Sequence, residues 1–174
     1  MRLYHISLKY YKEGEIIKIE NRTEYSNMAS SKGLSWIDEI IDSFKPSDFS
    51  SRSTVVFAFD NPLKCQIFAD EEDLHKNQGI EREWKIYEVE MSNFKKGLMP
   101  VTKVIKKCKE ESKMILLAKE YWRLVDTPGW NFIEYMSSEM KIIRLIDFEF
   151  SQKEIDEGYA MFQADVEKIE KATN

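Results

Sequence analysis

The sequence has few of the residues that metal sites, disulfide frameworks and phosphate-binding loops require. Its 174 residues include two cysteines, Cys65 and Cys108, and two histidines, His5 and His75, each pair far apart in the chain. Structural zinc sites need cysteine or histidine ligands at close spacing, and disulfide frameworks need more cysteines. The six glycines stand singly, without the spacing of a dinucleotide-binding or Walker loop. These absences predict no metal site and two reduced thiols.

Long hydrophobic runs and an excess of positive charge are also missing. The longest apolar-rich stretch, MILLA at 114–118, is far shorter than the roughly 20 residues of a membrane span. The chain begins Met-Arg-Leu-Tyr-His, without an apolar signal run, so we expect a cytoplasmic protein with no membrane partner. The net charge of −5 argues against general nucleic-acid binding, but it leaves room for a local basic pocket.

The periodicity of the apolar residues predicts short strands mixed with helices. A chain with 43% hydrophobic and 33% charged residues and this length suits one folded domain. Alternation and apolar runs predict strands at 2–11, 15–19, 54–60, 84–91 and 141–150. Helical spacing and the Asn61-Pro62 start signal predict helices at 33–44, 62–75 and 109–125. Residues 21–33 read as loop, and 130–136 fit strand or helix equally, so the predicted class is α+β.

The last segment, 151–172, has the clearest helical pattern. Ser151 followed by Glu154 forms a capping box, and apolar residues from Ile155 to Ile169 repeat at spacings of four and three. We therefore divide the chain into a domain at 1–150 and a C-terminal amphipathic helix at 151–174. Its apolar stripe packs either on its own domain or against a partner helix in a homodimer.

Glu88 and Glu90 offer a pair of carboxylates on one face of the strand at 84–91. Mutual repulsion raises one pKa in such a pair, which suits acid–base chemistry. A strand with one wet face explains the same pattern, so both interpretations stay open.

Four features follow one another in an informative order. They are LYHIS on the first strand, SSRSTVVFAF with an arginine before a buried strand, KIYEVEM leading into a loop, and a late helix with AKEYW followed by WNFIEYM and a closing strand. This order resembles the ADP-ribosyltransferase-like fold, in particular a group of small, mostly uncharacterised bacterial and phage proteins. The resemblance covers about residues 2–147 and implies one such domain with the C-terminal helix added to it.

The resemblance implies that NAD is bound, as a substrate, by side chains from several elements. His5 matches a first-strand histidine that bonds a ribose hydroxyl, and a neutral imidazole both donates and accepts. Arg52 is expected to face the phosphates, since a guanidinium can donate two parallel hydrogen bonds to one phosphate. Phe57 and Tyr121 are expected to lie against nicotinamide, with Trp122 beside them. Core packing alone also explains these aromatic residues.

The resemblance also implies a glutamate that stabilises the cationic sugar as nicotinamide leaves. The family pattern places an acid after a tryptophan where this chain has Asn131, so Glu134 is the first candidate and Glu120 the second. The implied function is a mono-ADP-ribosyltransferase or NAD-cleaving protein with an unknown macromolecular target. Two alternatives remain: a catalytically silent relative that binds a nucleotide or a protein, and an unrelated α/β interaction protein.

Overall fold

The structure, a computed structural model, describes residues 1–19, 24–71 and 84–173. Within those ranges the strands are β1 (Leu3–Ser7), β2 (Ile16–Lys18), β3 (Val56–Ala58), β4 (Lys85–Glu90), β5 (Lys95–Leu98), β6 (Ile133–Ser137) and β7 (Glu139–Ile146). The helices are α1 (Glu24–Ser31), α2 (Ser35–Asp42), α3 (Pro62–Glu71), α4 (Pro100–Lys107), α5 (Glu111–Arg123) and α6 (Gln152–Ala172). The predicted mixture of strands and helices is confirmed. No helix in these ranges is long and apolar enough to cross a membrane.

The strands form two small antiparallel sheets that meet at β1 and β3. One sheet has the order β1-β4-β7-β2, and the other has the order β3-β6-β5. Tyr4 and Phe59 join them, because each backbone amide donates to the other residue's carbonyl, at 2.7 and 2.8 Å. The first strand therefore lies next to the strand that follows Arg52, which brings two of the predicted site residues into one region.

Two apolar cores lie on opposite faces of the sheets. The smaller core consists mainly of strand residues from both sheets, among them Leu3, Ala58 and Tyr87. The larger core packs the helices against the other face of the strands and includes Phe57, Tyr121 and Met136. Because side chains alternate along a strand, neighbouring residues of β3 enter different cores.

The structure corrects the sequence prediction in two regions. Residues 24–31 form α1, not the predicted loop, and its Ser26 and Ala29 are buried three residues apart on one face. After β4 the chain forms β5 and α4, where we predicted a loop. Pro100 at the first turn of α4 is a start signal that the prediction did not use. Residues 72–75 of the predicted helix, and His75 with them, lie outside the described residues.

The C-terminal helix packs on its own chain. Its capping box is confirmed, since the Ser151 hydroxyl accepts from the Glu154 amide and the Glu154 carboxylate accepts from the Ser151 amide. Phe162, Val166 and Ile169 are buried in the larger core, against α3 and α4. These residues of the apolar stripe of α6, for which a partner helix was one of the two predicted alternatives, are thus covered by the same chain.

Candidate functional site

A short turn ahead of β3 presents Arg52 to the interior. Residues Arg52–Thr54 form a 3-10 turn, which Ser51 caps by accepting from the Ser53 amide. The Asp42 carboxylate at the end of α2 accepts from the Ser51 hydroxyl at 2.5 Å and from the Arg52 amide at 3.1 Å. These bonds fix the backbone of the turn, and the fixed backbone helps to orient the Arg52 side chain.

The Arg52 guanidinium is enclosed by acidic and hydroxyl partners. Its Nε lies 2.8 Å from Asp38 Oδ1, and its Nη1 lies 2.8 Å from Glu134 Oε1 and also contacts the Tyr121 hydroxyl. The Tyr121 hydroxyl donates to the same Glu134 oxygen at 2.5 Å. Arg52 is 2% exposed, Tyr121 0% and Glu134 1%. We call Asp38, Arg52, Tyr121 and Glu134 the Arg52 cluster.

Aromatic rings complete the surroundings of the guanidinium. Arg52 Cζ lies 4.9 Å from the centre of the Phe57 ring and 4.8 Å from that of Tyr121, distances typical of cation–π contact. The Tyr121 ring lies directly over Gly97, where an added Cβ would collide with the ring and its hydroxyl. Gly97 pairs with Glu134 across β5 and β6, so a glycine gives Tyr121 the room to reach that carboxylate.

The environment keeps the Tyr121 hydroxyl protonated. Burial raises the pKa of Tyr121 well above its usual value, the Glu134 charge raises it further, and Arg52 opposes this in part. A protonated phenol donates to Glu134 rather than accepting from it. The cluster therefore holds one guanidinium, two carboxylate groups and one phenol donor, and Arg52 contacts each of the other three residues.

The sequence matches no protein-family model and no curated protein.

Four of the six predicted site residues meet here. Arg52, Tyr121 and Glu134 are bonded to one another, and the Phe57 ring packs on Arg52. Arg52 and Glu134 are 82 residues apart in sequence, so tertiary packing, not a local sequence pattern, brings them together.

His5 lies on the other face of the strands. Its register partner on β4 is Tyr87. The side chains of two directly opposed residues in an antiparallel pair point to the same face of the sheet. Its ring centre is 6.5 Å from that of Tyr11, which packs on the smaller core. Its Nδ1 donates to the Phe57 carbonyl at 2.7 Å, and burial lowers its pKa from 6.5 to about 4. His5 is thus a neutral imidazole bonded to the backbone of β3, and the role in NAD binding that the resemblance implies for it stays a prediction.

The other candidate carboxylates also lie apart from the Arg52 cluster. Both Glu120 oxygens accept from Arg123, at 3.0 and 2.6 Å, on the same helix. Glu88 accepts from Arg144 at 2.7 Å, whereas Glu90 is exposed. Glu88 and Glu90 thus differ in surroundings, and the wet-face interpretation fits Glu90.

Asn131, at the position where the family pattern has an acid, holds the C-terminal helix. Its backbone amide lies 2.8 Å from Asp165 Oδ2 and its side-chain amide 2.9 Å from Oδ1. The Phe132 amide donates to Asp165 Oδ2 at 2.9 Å, and Asp165 is 2% exposed. The side chain at residue 131 acts as a hydrogen-bond donor here, because the carboxylate that accepts belongs to Asp165 of α6.

The sequence prediction missed three aspartates of this region: Asp38, Asp42 and Asp165. Asp38 and Asp42 stand one turn apart on α2, ahead of the Ser-Arg pair, and that spacing was an available signal. Within the described residues no group of three or more histidine, cysteine, aspartate or glutamate side chains is placed to hold a metal ion. The Cys65 thiol is no nucleophile in this setting, because burial raises its pKa and it donates to the Tyr4 carbonyl.

Proposed function

We propose that the protein is an ADP-ribosyltransferase-like module that acts by binding a nucleotide or a protein and does not cleave NAD. The observation that carries this proposal is the closed packing of the Arg52 cluster. A carboxylate that stabilises a cationic sugar has to touch it. Glu134, at 1% exposure, already accepts from Arg52 and Tyr121.

Energetics support a structural role for the cluster. Ionised groups withdrawn from water are stable only when they are paired and hydrogen-bonded, and opening such a pair costs several kcal/mol. Asp38 and Glu134 supply those partners to Arg52.

The order of the elements supports the ADP-ribosyltransferase-like part of the proposal. A histidine stands on β1, a Ser-Arg turn leads into the buried strand β3, and a Tyr-Trp helix precedes β6. Two antiparallel sheets joined at β1 and β3 accommodate this order.

NAD cleavage is the second candidate, and one observation favours it. Arg52, Phe57, Tyr121 and Glu134, all assigned by the resemblance, come together in space. For this candidate the cluster has to open so that Glu134 reaches a sugar.

Nicotinamide release from NAD distinguishes the two candidates. For the silent module we expect no release above the buffer blank from the wild type, and Glu134→Gln lowers the free energy of unfolding by about 1–3 kcal/mol. For the enzyme, the wild type releases nicotinamide and Glu134→Gln lowers that rate by roughly 100-fold or more while NAD still binds. Glu120→Gln is the matched control, because it removes a carboxylate from the neighbouring ion pair with Arg123. Nicotinamide release by the wild type overturns the proposal, and its loss in Glu134→Gln but not in Glu120→Gln assigns the cleavage to Glu134.

A further inference from the structure

A cavity of about 250 Å³ opens between α2, α4 and α6, and of the Arg52 cluster only Asp38 is among its described lining residues. Leu34, Ile37, Met99 and Phe162 give it an apolar floor. Its size is close to the lower end of the about 300–1,000 Å³ range of small-molecule pockets, which are also mostly apolar. The floor suits the face of a single ring system.

Lysines from one helix face line the rim of this cavity. Lys103, Lys106 and Lys107 stand at spacings of three and four along α4, so their side chains share a face. Lys103 is paired with Glu71, and its Nζ lies 5.2 Å from the centre of the Phe162 ring. Lys106 and Lys107 are exposed and have no ion-pair partner in the part of the chain that the structure describes.

The acidic groups described in the cavity lining, Asp38 and Glu71, are each held in an ion pair. The Asp38 carboxylate is bonded to Arg52 at 2.8 Å. Glu71 is bonded to Lys103. Since Arg52 is shared between Asp38 and Glu134, that cluster keeps one negative charge. Among the described residues of the rim, Lys106 and Lys107 are the lysines without an ion pair.

We propose that this cavity binds a small phosphate monoester whose ring lies on the apolar floor and whose phosphate is held by Lys106 and Lys107. A phosphate monoester carries close to two negative charges at neutral pH, which matches two ammonium groups. Lysine binds phosphate as a compact point charge, and an aromatic ring buries its faces against aliphatic and aromatic side chains. The proposal adds a site and a ligand class to the proposed function and stands on the cavity alone.

Titration calorimetry with AMP, adenosine and inorganic phosphate tests each half of this recognition. AMP carries the ring and the anion, adenosine carries the ring alone, and phosphate carries the anion alone. We expect the Kd of AMP to be at least about tenfold lower than that of either fragment, and to rise with salt because screening weakens exposed charge pairs. Equal affinity for AMP and adenosine, or for AMP and phosphate, overturns the proposal.

Variants assign the binding to this cavity. Lys106→Gln and Lys107→Gln should each raise the Kd of AMP about tenfold, as for one lost charge-assisted bond. Lys141→Gln, an exposed lysine on β7, is the matched control and should leave the Kd unchanged. If all three substitutions raise the Kd of AMP equally, AMP is attracted by the positive charge of the surface in general, and the assignment of the site to this cavity is overturned.

A cavity-filling variant tests the apolar half without changing any charge. Ala29 lines the cavity, and Ala29→Leu places additional methyl groups in it. We expect loss of AMP binding with the unfolding transition retained, and wild-type affinity in this variant contradicts the proposal. Nicotinamide release measured on the same samples keeps the two proposals separate. If the wild type releases nicotinamide and does not bind AMP, both the proposed function and the cavity proposal are contradicted. If it neither releases nicotinamide nor binds AMP, only the cavity proposal is contradicted.

Discussion

Asn131 and Asp165 are joined by two hydrogen bonds, so that one residue closes the loop before β6 onto the C-terminal helix. Asn131→Glu should therefore lower the free energy of unfolding, by about 3 kcal/mol or more, because it sets a second carboxylate against a buried one. Asn131→Ala keeps the backbone bond and should cost about 1–2 kcal/mol. Urea unfolding of both variants measures the difference. Nicotinamide release gained by a stable Asn131→Glu protein would contradict this account.

Arg52 should contribute far more to stability than an exposed arginine does. Arg52→Met leaves Asp38 and Glu134 buried without their cation, and the expected loss is about 3–5 kcal/mol. Arg2→Met is the control, since Arg2 is 73% exposed at its side chain and its partner Glu88 keeps Arg144. That variant should lose about 1 kcal/mol or less. Equal losses from the two substitutions would show that the buried pairs are not the source of stability.

Gly97→Ala should displace the Tyr121 ring and weaken the Arg52 cluster, because the new Cβ collides with that ring. Overpacking of a filled core costs about 1–3 kcal/mol. The same substitution in a Tyr121→Ala background should cost much less, since the colliding ring is gone. A double-mutant cycle measures this coupling. Additive losses in the cycle would mean that Gly97 matters for another reason.

His5 should make the protein less stable in mild acid. Its pKa is lowered by burial from 6.5 to about 4, so the unfolded chain binds the proton more readily than the folded one. The stability linked to neutral His5 is full above about pH 6.5 and is lost as the pH falls to about 4, to an extent of about 3 kcal/mol. His5→Gln has an amide donor but no titrating group, so it should flatten the curve of unfolding free energy over this interval. Parallel curves for the two proteins would rule out His5 as the origin.

Phe162 and Met161 give a matched test of how α6 is buried. Phe162 is 1% exposed and its ring centre is 5.1 Å from that of Phe132, whereas Met161 is 40% exposed. Phe162→Ala should cost about 3–5 kcal/mol, and Met161→Ala less than about 0.5 kcal/mol. Thermal or urea unfolding measures both. A small loss at Phe162 would mean that α6 packs elsewhere in solution.

Local patterns were sufficient to predict the elements with strong periodicity or capping. The capping box of α6 and the apolar run of β3 depend on neighbouring residues, and both appear where they were predicted. α1 was missed because most of its residues are polar; among those whose burial the structure describes, Ser26 and Ala29 are the buried ones. Tertiary packing, not propensity, stabilises such a short helix.

The site was predictable only in part, because its contacts are distant in sequence. The resemblance supplied Arg52, Tyr121, Glu134 and Phe57, which do meet. The partner of His5 was hidden, since the Phe57 carbonyl that it bonds is 52 residues away in sequence. The role of Asn131 was equally hidden, since its partner Asp165 is 34 residues further on.

The anchoring of α6 also bears on how the chain folds during synthesis. Residues 152–172 complete the larger core and supply the acceptor for the Asn131 and Phe132 amides. Until the ribosome has released them, the surfaces of α3 and α4 that they cover face water, and the nascent domain is incomplete. A chain stalled before residue 152 should therefore be a client for chaperones, and folding should become cooperative only when the last helix has emerged.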